Sequence, residues 1–318
     1  MEYRKLGRSG VMVSALGLGG NTFGRACDAA TTAAIVDRAL ELGINHFDTA
    51  DTYGGTRSEE YLGAALRGRR HDAIIATKTG YPLGDGPNDD GLSRRRIIAS
   101  CEASLRRLGA DYVDVFYLHR PDPRTEIDES LSALDDLVRQ GKVRYAACSN
   151  YTGWEIARLC ERAMAHNWAA PIVSQSRYNM FSRETGRDIA PAAAAYGMGI
   201  VPYSPLAGGV LTGKYRSADD AQPGTRAWNN PRLATLLGDE TLQVVGELAE
   251  FAGRYDRTVG DLAVAWLLNQ PAVCSVITGV TSPAQVETNA RAVGWVFDEL
   301  ELADLAGILA GAPEGLDS

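Results

Sequence analysis

The chain has 318 residues, 45% of them hydrophobic, enough for one large core, and its 32 Lys and Arg against 40 Asp and Glu leave a formal net charge of −8. That balance repels a phosphate backbone or an anionic membrane surface, so neither nucleic acid nor a membrane is expected as a partner. The charged start "MEYRKLGRSG" lacks an apolar leader, no stretch reaches the roughly 18 apolar residues of a membrane span, and five scattered cysteines fit neither a zinc site nor a disulfide framework. A cytoplasmic protein with reduced, mostly buried thiols and no metal is the expectation.

The opening "YRKLGRSGVMVS" predicts a hairpin, with Gly7 and Gly10 flanking its turn. Short β-rich apolar runs then alternate with segments of helical period. In "SRRRIIASCEASLRRLG", Ser93 can cap a helix, Ile97, Ile98, Cys101, Leu105 and Leu108 share one face, Gly109 suits the stop, and the run of three arginines, Arg94 to Arg96, falls on the wet side. "YVDVFYLH" follows as a strand, and Ile127, Leu131, Leu134, Leu137 and Val138 mark the next helix face, closed by Gly141. The cycle repeats about eight times, with candidate strands ending near Gly20, Asp48, Lys78, His119, Ser149, Gln175, Tyr203 and Thr278.

Such a series predicts a (β/α)8 TIM barrel of the α/β class, preceded by the hairpin, whose site is built at the C-terminal strand ends and following loops. No break in composition marks a second domain, so residues 1–318 read as one barrel domain. The long irregular stretch from Ala207 to Gly238, which holds Trp228, reads as a lid or clamp. A doubly wound nucleotide-binding fold alternates in the same way, but "LGLGGNTFG" puts Thr22 where the last glycine of its phosphate loop belongs, and no GxxxxGK[ST] occurs.

In a barrel, the ends of strands two, three and four are neighbours, which lets Asp48, Tyr53, Lys78 and His119 meet. A tyrosine of ordinary pKa, about 10, is a poor proton donor or acceptor at neutral pH, and a nearby ammonium lowers it. Asp48 would hold Lys78 charged, Lys78 would tune Tyr53, and His119 would donate to a substrate oxygen. Taken singly, each of these residues has a plain structural reading as a cap, packing group or surface charge; it is their joint placement that argues chemistry.

"GINHFDTADTYGG", "IIATKTG", "YLHRPD", "CSNY", "VPYSPLAGGVLTGKY" and "VITGVTSPAQVETNA", in that order, resemble the aldo-keto reductase superfamily over nearly the whole chain. The resemblance implies a barrel that binds NADPH in extended form and reduces aldehydes or ketones, reversibly an alcohol dehydrogenase, with Tyr53 as general acid, Lys78 and Asp48 as its tuning pair and His119 orienting the carbonyl. It further implies that Ser149, Asn150 and Gln175 bond the nicotinamide carboxamide and that Tyr203 stacks on the ring. Ser204, Leu206, Gly208, Lys214 and Arg226 would cross the pyrophosphate, Gly20 and Asn21 would lie near the ribose, and Gly279, Ser282, Gln285 and Asn289 would hold the adenosine end. Ser282 and Pro283 also read as a helix N-cap and first turn. Family members that grip a 2′-phosphate often carry a cation around Gly279 to Thr281 or at Gln285, and its lack here leaves NAD as an alternative to NADP. Gln285 and Asn289 also resemble a branch containing potassium-channel β-subunits, which binds NADPH; a cofactor-sensing regulatory subunit resembling those proteins is the rival reading, and those relatives have Asn where His119 stands. "GLS" followed by Arg94 resembles bacterial reductases of simple aldehydes, sugar phosphates and nucleotide-activated sugars. The small-molecule carbonyl substrate and the oligomeric state stay open.

Overall fold

Runs such as Val113–Leu118 are apolar on both sides, the pattern of strands covered on two faces, and they form the staves of a parallel sheet. The computed structural model describes residues 1–220, 222 and 236–312. An antiparallel hairpin comes first, β1 (Tyr3–Lys5) against β2 (Met12–Ser14). Eight strands follow: β3 (Leu16–Gly19), β4 (His46–Asp48), β5 (Ile74–Thr79), β6 (Val113–Leu118), β7 (Val143–Ser149), β8 (Val173–Arg177), β9 (Gly199–Tyr203) and β10 (Val276–Gly279). From β3 to β9 each pairs parallel with the next, and β10 pairs parallel with β3. The last seam is drawn together ahead of β10, where Ile200 of β9 donates to the Ala272 carbonyl at 2.8 Å and accepts from the Cys274 amide at 2.9 Å. The result is a (β/α)8 barrel with an N-terminal hairpin, as the alternation implies.

Alternation along each strand divides the apolar residues into two cores. Val115, Tyr117, Ala147, Val173, Val201 and Ile277 fill the barrel, and Leu6 and Val13 of the hairpin join them. Phe47, Ile75, Phe116 and Ile200 pack outward against helices α1 (Ala29–Glu41), α2 (Arg57–Ala65), α3 (Arg94–Leu108), α4 (Ile127–Arg139) and α5 (Gly153–Ala165), together with α6 (Ala190–Ala195), α7 (Asp239–Gly253), α8 (Val259–Leu268), α9 (Pro283–Ala290) and α10 (Glu299–Ala310). The caps are local: Ser93 accepts from the Arg96 amide and Gly109 takes the left-handed turn that ends α3, at φ 60°. Ser282 and Pro283 begin α9. All five cysteines are buried and unpaired. Among the described residues no helix is long and apolar enough to cross a membrane.

One helix face departs from expectation. Ile97, Cys101 and Leu108 of α3 are buried, but Ile98 is partly exposed and Arg96, Ser100 and Ser104 are buried in its place. The three arginines are therefore not all on the wet side. Acids on the barrel side draw polar groups inward: Asp51 bonds Arg96 and Ser100, and buried Glu59 accepts from Arg107 at 2.6 Å and from Thr77 at 2.5 Å. Of the long stretch from Ala207 to Gly238, residues 221 and 223–235 lie outside the described residues, Arg226 and Trp228 among them; Ala207–Thr212 and Ala218–Asp220 are short 3-10 turns.

The closing seam leaves no room for a side chain at Gly199, where an added Cβ would stand 2.1 Å from the Cys274 sulfur. Gly199→Ala is expected to lower unfolding stability by about 1–3 kcal/mol in urea titration, and Cys274→Ala in the same chain should restore part of that loss. An unchanged midpoint would show that the seam yields freely.

Candidate active site

β4 ends on Asp48, an acid that cannot stay in an apolar barrel unpaired. Asp48 meets Lys78 of β5, whose Nζ donates to Oδ1 at 2.7 Å, to Oδ2 at 2.6 Å and to the Thr49 carbonyl at 2.8 Å. Gln175 of β8 reaches across the barrel mouth and donates from Nε2 to Asp48 Oδ1 at 2.7 Å. Lys78 is wholly buried and Asp48 nearly so. Burial pulls the lysine below its ordinary pKa, while Asp48, bonded through both oxygens, pulls it back. With three acceptor contacts in place, the ammonium form is the one this geometry holds.

After Asp48 the chain turns back on β5: Thr49 donates its amide to the Ala76 carbonyl at 2.8 Å and Asp51 to the Lys78 carbonyl at 3.1 Å. This turn presents Tyr53 over the pair, with Lys78 Nζ 5.1 Å from the phenol ring centroid. Gly54 must follow, since its φ is +59° and a Cβ would stand 2.3 Å from the Phe23 carbonyl oxygen. The phenol pKa is raised, by burial first and then by Asp48. The expectation that Lys78 lowers it is not met in this arrangement, because Asp48 engages the ammonium with both oxygens and Tyr53 faces a neutralised pair.

His119, one residue past β6, is buried, and its ring lies 6.0 Å from that of Tyr53, at 71°. Tyr81 meets the same imidazole edge-on at 4.6 Å. Burial, then the Lys78 and Arg120 charges, lowers the histidine pKa strongly, so the imidazole is neutral. Its Nδ1 is buried without a partner among the described residues. A neutral imidazole has one N–H to donate and the tautomer decides which nitrogen carries it.

These side chains open on a cleft of about 810 Å³. Asp48, Tyr53, Tyr81 and His119 line its inner end, and Lys78 sits beneath. Ser149, Asn150, Gln175 and Tyr203 form the next stretch of wall. Asn150 is a hub: Nδ2 donates to the His119 carbonyl at 2.9 Å and to Ser149 Oγ at 3.1 Å, and Oδ1 accepts from the Tyr203 hydroxyl at 2.8 Å. Asn150 and Ser204 both take positive φ, 62° and 56°, which turns the chain sharply outward at the ends of β7 and β9.

Further out, Ser204, Leu206, Gly208 and Lys214 lie along the wall, with Gly208 and Gly209 at φ 67° and 107°. The far end holds Asn21, Gly279, Gln285 and Asn289. Gly279 lets the Asn21 amide approach, since a Cβ would stand 2.9 Å from its Oδ1. Gln285 Oε1 accepts from the Thr281 amide at 2.7 Å, which directs that side chain back over the start of α9. Gly20 lies behind the wall, packed against Ser58 Oγ and the Asp48 carbonyl, while Gly19 lines the cleft in its place. Ser282 serves as the N-cap of α9 and is not on the wall. Thr281 and Thr288 line it without having been singled out from sequence; the latter stands next to Asn289, and helical spacing from Gln285 could have found it. Among the described residues no cluster of side chains has the makeup of a metal site.

The model of the aldo/keto reductase family matches residues 15–310. A probable voltage-gated potassium channel subunit beta of Oryza sativa subsp. japonica is 38% identical over 301 residues, covering 92% of this chain and 91% of that one. The L-glyceraldehyde 3-phosphate reductase of Escherichia coli O157:H7 is 34% identical over 321 residues, 96% and 91% of the two chains. An uncharacterized oxidoreductase of Bacillus subtilis (strain 168) is 34% identical over 322 residues, 98% and 97%. With a matching barrel, a match across nearly all of it and oxidoreductases among its relatives, this chain belongs to the aldo/keto reductase family.

Proposed function

We propose that the protein is an NADP-dependent reductase of aldehydes or ketones, running in reverse as an alcohol dehydrogenase, with Tyr53 as the general acid. The observation that carries this reading is the convergence of Tyr53, His119 and the buried Lys78–Asp48 pair at one end of a single cleft. The cleft suits an extended dinucleotide. Its polar stretch at Ser149 and Gln175 matches a carboxamide, Tyr203 offers a ring to stack on, the turn at Gly208 and Gly209 lets backbone approach phosphates closely, and Asn21, Gln285 and Asn289 supply amides at the far end. Bound there, the reduced nicotinamide supplies hydride to the carbonyl carbon.

The chain's own residues handle the oxygen. As negative charge develops on it, a neutral His119 donates a hydrogen bond and Tyr53 delivers its proton. Lys78 lies under the phenol as part of a neutralised pair, and Asp48, held by Gln175 and Lys78, fixes the ammonium in place. The raised phenol pKa keeps Tyr53 protonated across the neutral range, so the proton is present when the oxygen takes on charge.

The second reading, a cofactor-sensing regulatory subunit, draws on the 38% identity to the rice channel subunit. Purified protein mixed with NADPH and a panel of aldehydes, ketones and sugar phosphates separates the two. Loss of the nicotinamide absorbance is expected, whereas tight NADPH binding with no turnover of any member would favour the sensor. The same preparation titrated with NADPH and NADH should bind NADPH more tightly; a clear preference for NADH would overturn the cofactor assignment.

Tyr53→Phe is expected to cut kcat by roughly 10²–10⁴-fold while leaving NADPH affinity, read by fluorescence, unchanged; full turnover would remove Tyr53 from the acid role. Because burial lowers the His119 pKa and raises that of Tyr53, neither group changes charge between pH 6 and 9, about the working range of such an assay. Reductive kcat should be flat there and alcohol oxidation, which needs the phenolate, should climb with pH. A fall in reduction centred near the ordinary histidine pKa would show that His119 titrates.

A further inference from the structure

The loops that follow β4 and β5 converge on one guanidinium. Arg96, in the first turn of α3, is 7% exposed. Its Nη2 donates to Asp51 Oδ2 at 2.9 Å and, more weakly, to the Tyr81 carbonyl at 3.4 Å. Ser100, one turn along the same helix, donates to the same Asp51 oxygen at 2.8 Å. Asp51 is fully buried, two residues before Tyr53, and its backbone amide is bonded to the Lys78 carbonyl. Tyr81 sets its ring edge-on against His119, with the Arg120 guanidinium 4.6 Å from the centroid of the same ring. A single charge from an outer helix thus touches the loop that carries the acid and the loop that buttresses the imidazole.

Stability alone is a weak reason for this arrangement. Desolvating a carboxylate and a guanidinium offsets much of their attraction, and an apolar pair of similar volume often serves a core as well. What the pair does supply is direction: the two N–H bonds of Nη2 that reach Asp51 and Tyr81 lie at a fixed angle in the guanidinium plane, whereas a lysine ammonium rotates about its stem and an apolar side chain donates nothing. Misplacing a reacting group by about 1 Å from a distance can cost on the order of 10²-fold in rate.

We infer that Arg96 is a positioning residue that sets Tyr53 and His119 in register by clamping Asp51 and Tyr81 together; the inference rests on the reductase reading above. It acts on the chemical step and leaves the cofactor wall untouched. The test compares wild type, Arg96→Lys, Tyr81→Leu and the double variant, with a carbonyl that the wild type reduces, measuring kcat, KM, NADPH affinity by fluorescence and the thermal midpoint. Arg96→Lys keeps the charge and loses the fixed plane of the guanidinium, and is expected to lower kcat by about tenfold or more with KM and NADPH affinity within about twofold. Because Arg96 reaches His119 through Tyr81 and Tyr53 through Asp51, the double variant will lose less than the product of the two single losses, an outcome that general loosening of the fold would not produce. Should Arg96→Lys fail to accumulate folded, Asp51→Asn with Arg96→Gln removes both charges and should show the same loss of kcat. Unchanged kcat, an equal loss of NADPH affinity, or losses that multiply in the double variant would each overturn the inference. A wild type that reduces no carbonyl would overturn the reductase reading and this inference with it, so the two failures are distinguishable.

Discussion

A lysine with no solvent exposure has to be neutralised where it stands, and the bond from Lys78 to both oxygens of Asp48 is the constraint around which the barrel mouth is arranged. Removing one partner of such a pair leaves a bare buried charge, a cost of about 3–5 kcal/mol. The remaining lone pairs and protons must be satisfied too, and the surrounding structure does so: Gln175 donates from the opposite side and the Thr49 carbonyl accepts the third bond. Two neighbouring strands and one across the barrel are thereby fixed relative to each other before any ligand is present. The Tyr53 phenol is held over that pair in turn.

The same constraint explains why the phenol and the imidazole respond to burial in opposite ways and to similar effect. Each is a group whose charged form would lose hydration without gaining a partner, so each is held neutral: the phenol protonated, the imidazole without its second proton. On the proposed reading, two neutral donors would meet charge only as it appears on the oxygen, not on the resting carbonyl. Below them lies Lys78, its charge already paired with Asp48.

Most of the fold was legible along the chain. Two-sided apolar strands, Ser93 and Gly109 at the ends of α3, and Ser282 with Pro283 at the start of α9 are local signals, and local rules of capping and periodicity read them. Asp48, Tyr53, Lys78 and His119 were legible for a related reason: polar groups at or just after the ends of apolar strands stand out against their surroundings. Arg96 was not. Helical period assigned it to water, and it is buried because Asp51, from a loop 45 residues earlier in the chain, draws it inward. Asn150 was legible as a wall residue, yet its three bonds, to His119, Ser149 and Tyr203, join three strand ends that are distant in sequence.

The amino-acid sequence by itself determined the alternation of strand and helix, the polar strand ends and the motif order that marks the family, because each is written in residues near one another or in their succession. The tertiary structure alone decided which polar groups meet, which way each pKa moves and which of two adjacent glycines faces the cleft, with Gly19 on the wall and Gly20 behind it. Those outcomes depend on distance and on exclusion of water, and neither exists until the barrel closes.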